Sequence, residues 1–120
     1  MMGEGKENVI AEKSFAFAVR VVQLYKWLKK EKQEYELSKQ LLRSGTSVGA
    51  NIEEAIGGFS KKDFTAKMGI AYKEIRETLY WLRLLKATGI LDEKQFQSLY
   101  ADAEELKKIL IAILKSARAN

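Results

Sequence analysis

The sequence of 120 residues predicts an all-α fold, an antiparallel up-down-up-down four-helix bundle. It contains no proline, which at this length favours long uninterrupted helices. Its apolar residues recur at alternating spacings of three and four through successive segments. Short polar or glycine-containing breaks separate those segments, and short connections make sequential helices antiparallel neighbours. With 47% hydrophobic residues, the chain should fold around one core as a single domain over residues 10–120. Residues 1–9 are polar and Gly-containing and are expected to form a disordered tail.

Helix one is expected from Ile10 or Ser14, with Ser14 a candidate cap, to Lys30. Phe17, Val21, Leu24 and Leu28 lie on one flank, and Phe15, Ala18, Val19, Val22 and Tyr25 widen the apolar arc. A single core needs a stripe only about 100° wide. The surplus predicts a second buried surface between subunits, with Phe17, Val21, Leu24 and Leu28 as candidates. Glu31 to Glu34 reads as a short polar connection.

Helix two follows. At about 100° per residue, Leu37, Leu41, Gly45, Val48, Ile52, Ala55 and Phe59 share one face. Beside them runs a second stripe, Gln40, Arg43, Ser44, Ser47, Asn51 and Glu54, mostly small or neutral polar. Such a stripe suits a hydrogen-bonded seam that fixes helix register or meets a neighbouring subunit. Partners for Arg43 and Glu54 should come from another helix. Gly45 and Gly49, one turn apart, allow another helix to approach closely. Each costs about 1 kcal/mol of helix propensity against Ala, so tertiary contacts must hold this helix. Gly57-Gly58 ends it.

Ser60 with Asp63 resembles a capping box and starts helix three, which runs to about Thr88. Phe64, Met68, Ala71, Ile75, Thr78, Leu82 and Leu85 form its seam. Ile70, Trp81 and Leu84 fall off that seam and are further candidates for a subunit contact. Gly89 closes the helix. Asp92 with Gln95 starts helix four, whose core positions are Phe96, Leu99, Ala103, Leu106, Leu110, Ile113 and Ala117. Lys107, Lys108, Lys115 and Arg118 in its C-terminal half suit the helix dipole.

The residue inventory excludes several chemistries. Without Cys or His there are no disulfides and no zinc sites built on thiolate or imidazole. Glu53-Glu54 and the pair Glu74 and Glu77 suggest the carboxylates of di-iron bundles, but those sites need a Glu-x-x-His element. Serine without His or a suitably placed Lys is a weak nucleophile. Gly45 to Gly49 lacks the Gly-Lys-Ser/Thr that completes a phosphate loop. No catalytic residue, metal ligand or cofactor is therefore assigned.

Lys and Arg number 21 against 16 Asp and Glu, a net charge of +5. This excess permits a polyanionic partner without demanding one. Lys26, Lys29, Lys30, Lys32 and Lys39 flank the first connection. In an antiparallel bundle Arg83 and Lys86 lie at the same end. An oligomer would repeat the cluster once per subunit and strengthen the local field. No stretch is long and apolar enough to cross a bilayer, and the N-terminus lacks an apolar signal core, so a cytoplasmic protein is expected.

The run from Gln40 to Leu85, QLLRSGTSVGANIEEAIGGFSKKDFTAKMGIAYKEIRETLYWLRLL, resembles a family of four-helix-bundle proteins known from intervening sequences in bacterial large-subunit ribosomal RNA genes. It is also similar to the accessory variability protein of diversity-generating retroelements. The matching positions include Gln40, Arg43, Ser44, Ser47, Asn51, Glu54, Ser60, Asp63, Phe64, Glu74, Glu77 and Thr78. The resemblance implies a ring-like homopentamer that binds RNA or DNA through a basic surface. In the retroelement branch it further implies a reverse transcriptase as partner. The combined expectation is a non-catalytic adaptor. The alternatives are a purely structural or protein-interaction oligomer and an enzyme with a metal or small-molecule pocket inside the bundle.

Overall fold

The computed structural model describes residues 4–119, which form four helices: α1 (Glu4–Glu31), α2 (Glu36–Ile56), α3 (Lys61–Ala87) and α4 (Glu93–Ala119). No strand occurs among the described residues. Each helix packs on the next in sequence and α1 closes onto α4, whereas the backbones of the diagonal pairs α1/α3 and α2/α4 stay apart across the shared core. This is the up-down-up-down order, in a body 46 Å long and about 20 Å across.

The start of α1 differs from expectation. Residues 4–9 are helical where a disordered tail was expected, and Met1 to Gly3 lie outside the described residues. Ile10 is fully buried and anchors this first stretch. Ser14 is not a cap: it is buried inside the helix, and its hydroxyl donates to the Ala11 carbonyl at 3.1 Å.

The other ends follow their local chemistry. The Glu34 carboxylate accepts from the Leu37 and Ser38 amides at 2.9 and 2.7 Å, satisfying orphan donors at the start of α2. Gln33, with φ 50°, makes the turn that brings Glu34 there. Ser60 accepts from the Asp63 amide at 3.0 Å, and Asp92 and Gln95 cap each other's amides at 3.2 and 2.7 Å. Gly89 takes the left-handed conformation, φ 79°, that stops α3. Gly57 and Gly58 end α2 at Ile56, so Phe59 leaves the apolar face of α2 and stands fully exposed.

Core residues come from all four helices: Phe17, Val21 and Leu28 from α1, Leu41, Val48 and Ile52 from α2, Phe64, Met68, Ile75 and Leu82 from α3, and Leu106, Leu110 and Ile113 from α4. This corrects the subunit-contact assignment on α1. Phe17 is 2% exposed, and Val21 and Leu28 are 0% exposed. They fill the chain's own core, and half-buried Leu24 packs against it. The wide arc is divided the other way. Its surplus is Phe15, 71% exposed, with exposed Val19 and half-buried Val22. The flank richest in large residues faces inward because burying it removes the most apolar area from water.

Candidate functional site

The four grooves between neighbouring helices differ in chemistry. The α1/α2 groove is apolar. Ala11, Ser14, Phe15, Ala18, Thr46, Gly49, Ala50 and Glu53 line an open pocket of about 200 Å³. The helices come close because Gly45 lacks a side chain, whereas Gly49 has room for one. A Cβ on Gly49 would lie 3.5 Å from Ser14.

The α2/α3 groove holds the expected polar stripe, divided by depth. Ser44 is buried, and its hydroxyl bonds to that of Thr78 at 3.0 Å. Arg43 crosses to Glu74 at 3.0 Å and to Glu77. Glu54 crosses to Lys67 at 2.6 Å. Both charged residues thus find partners on another helix. Ser47 and Asn51 instead bond back along α2, to the carbonyls of Arg43 at 2.6 Å and Ser47 at 2.8 Å. Gln40 is exposed. The seam between helices is therefore Ser44–Thr78 flanked by two ion-paired crossings.

Glu77 also accepts from the Trp81 indole at 2.9 Å. That bond, followed by those from Arg43, holds its carboxyl below the usual carboxylate range. Arg43 is correspondingly raised, chiefly by its bond to Glu77. Trp81 and Leu84 are half-buried, while Ile70 and Tyr80 are exposed. Glu54 is held by Lys67, apart from Glu74 and Glu77. Among the described residues, no three acidic side chains are grouped to hold a metal ion.

The α1/α4 groove is closed by ion pairs, Lys13 with Glu105 at 3.3 Å and Arg20 with Asp102. Arg20 also donates to the Ser98 hydroxyl at 2.8 Å. Toward the C-terminus of α4, the α3/α4 groove has Lys115 and Arg118 exposed without such partners among the described residues.

The antiparallel order brings the end of α1, the start of α2 and the end of α3 to one end of the bundle. Lys26, Lys29, Lys30, Lys32, Lys39 and Arg83 lie there, all exposed. None of the six has an ion-pair partner among the described residues. Lys29 donates to the Tyr25 hydroxyl at 3.2 Å, and Lys32 sits 5.5 Å above the Trp27 ring, contacts that leave both charges intact. Lys86 departs from the expected cluster. It pairs with Glu93 at 2.7 Å and rests on the Phe96 ring, closing the α3–α4 connection.

Of the acids around this connection, Glu31 and Glu36 are exposed and offset part of the charge, while the third is engaged locally. Glu34 is turned onto the N-terminus of α2. Its neutral alternation with lysines in sequence gave no sign of that role. The pattern that could have revealed it is an acid four residues before a buried serine, because Ser38 donates back to the Glu34 carbonyl at 2.9 Å. Among the described residues, no helix is long and apolar enough to cross a membrane.

A family model described as 23S rRNA-intervening sequence protein matches residues 6–112. The chain is also similar to a crystal structure from Bacteroides thetaiotaomicron VPI-5482, described as a protein with unknown function from the S23 ribosomal protein family. The two are 51% identical, with 92% of this chain and 98% of that chain covered and a TM-score of 0.90. No curated protein matches the chain.

Proposed function

The chain belongs to the 23S rRNA-intervening sequence protein family, and from that premise we propose a non-catalytic, oligomeric adaptor that binds structured RNA or DNA electrostatically. The single observation behind this reading is the set of six exposed, unpaired cations at one end of the bundle. Phosphate contacts by such residues release counterions and need no base recognition. Binding by this end would follow helical shape and charge density, with little sequence preference.

Oligomerisation is the second half of the reading. Phe15 and Val19 point outward from α1, and Ile70 and Tyr80 are exposed on α3. These helices are diagonal in the bundle, so the two patches lie on opposite sides of one subunit. Two different patches facing opposite ways suit head-to-tail association, which closes into a ring when the rotation allows. A pentameric ring in the cytoplasm, with a reverse transcriptase as protein partner, is the form suggested by the resemblance of residues 40–85 to the retroelement accessory protein.

Fluorescence anisotropy with a labelled RNA hairpin tests the binding half. Lys29→Gln, Lys30→Gln and Lys32→Gln together should weaken binding and flatten its dependence on log salt by about 3, at roughly 0.9 per phosphate contact. Absence of binding by the unaltered chain at low salt would leave a purely structural oligomer.

A further inference from the structure

In the half of the α3/α4 groove toward the C-terminus of α4, Tyr72, Ile111, Leu114, Lys115 and Arg118 line an open pocket of about 380 Å³. Ile111 and Leu114 give it an apolar floor. Arg76, one turn along α3 from Tyr72, donates to the Tyr72 hydroxyl at 3.0 Å and lies 5.7 Å from the ring centre. The guanidinium is thereby held beside the pocket instead of sweeping through solvent.

Arg76, Lys115 and Arg118 are exposed, and none has an ion-pair partner among the described residues. The nearby carboxylates are engaged elsewhere. Glu104 pairs with Lys107, and Glu74 and Glu77 are turned to the other side of α3 by Arg43. The contrast is with the α1/α4 and α2/α3 grooves, where carboxylates meet cations across the helix boundary. Lys115 and Arg118 on the pocket wall, with Arg76 beside it on Tyr72, are like charges that a bound anion would balance.

We propose that this groove is a second anion site, which takes the phosphate–sugar backbone of the bound nucleic acid. The cationic rim fits the phosphate and the apolar floor fits the sugar face. Glu93 starts α4 at the lysine-rich end of the bundle, and Leu114 is 21 residues further on, roughly 30 Å along the helix. The subunit therefore grips its target at its end and again on its flank. This inference rests on the nucleic-acid reading above, but uses different residues.

The test is a salt titration of the full chain against a labelled DNA duplex of about two helical turns. One variant carries Arg76→Gln, Lys115→Gln and Arg118→Gln; a second carries Lys29→Gln, Lys30→Gln and Lys32→Gln. All six positions are exposed, and circular dichroism checks that each variant keeps its helicity. The groove variant should lose about ten-fold or more in affinity at low salt, and its slope should fall by about 2 to 3. If the groove variant keeps the parent's affinity and slope while the end variant loses them, the flank site is wrong and the end site stands. If only the groove variant loses binding, the flank site stands and the end site falls. No binding by the parent chain overturns both. Loss of binding to phosphatidylserine vesicles, with duplex binding unchanged, would overturn the assignment in favour of a lipid surface.

Discussion

Val21 of α1 lies directly against Gly45 of α2, so that a Cβ at residue 45 would stand 2.8 Å from both Val21 γ-carbons. That contact sets the α1/α2 approach. Gly45→Ala gains up to about 1 kcal/mol of helix propensity but overpacks a fully buried β-branched side chain, which typically costs about 1–3 kcal/mol. A net loss is expected, read as a lower thermal midpoint. Val21→Glu should be far more damaging, because it places a charge in the core, and helicity should collapse rather than only the assembly.

Phe15→Glu or Val19→Glu has the opposite signature. Both side chains are already exposed, so the subunit should keep its helical signal while the oligomer dissociates. Chromatography with light scattering separates the two outcomes. A full-mass assembly in both variants would remove this face from the interface.

Glu77 gives the α2/α3 crossing an acid-sensitive component. Its carboxyl is lowered first by the Trp81 indole and then by Arg43. A lowered carboxyl stabilises the fold at pH values above its unfolded value, and that stability is lost as pH falls through the folded value. Arg43→Gln should therefore flatten the fall in thermal midpoint on the acid side and change the midpoint less at low pH than at neutral pH. The side chains are 50% and 33% exposed, so the pair is worth only about 1 kcal/mol or less. Parallel midpoint curves for parent and variant would contradict the coupling.

Glu34→Ala should uncap α2. Orphan amides at Leu37 and Ser38 lose their acceptor, at a cost near the ~1 kcal/mol typical of a cap. The effect should show as faster amide exchange in the first turn of α2. Unchanged exchange there would mean that water replaces the carboxylate without penalty.

The helices were legible in the sequence because their signals are local. Ser60 with Asp63, Asp92 with Gln95 and the stop at Gly89 each act within one turn, and each appears where the pattern put it. The face of α1 was harder to read. Both of its flanks are apolar, and only the packing of α2 and α4 decides that Phe17 goes in while Phe15 stays out. The stripe on α2 was visible as a stripe, but its division was not. Ser44 finds Thr78 because it sits one turn deeper than exposed Gln40, a difference set by the position of α3. Charge compensation was the least legible property. Lys86 and Arg83 look alike in sequence, yet only Lys86 meets a carboxylate, contributed by Glu93 beyond the next turn.

Light scattering coupled to chromatography at low salt, with and without a structured RNA hairpin, reads assembly and RNA binding together. The expected mass is several times the 13.7 kDa subunit, five times for the implied pentamer, with a further increase when RNA is added. A single 13.7 kDa species whose mass does not change with RNA would contradict it.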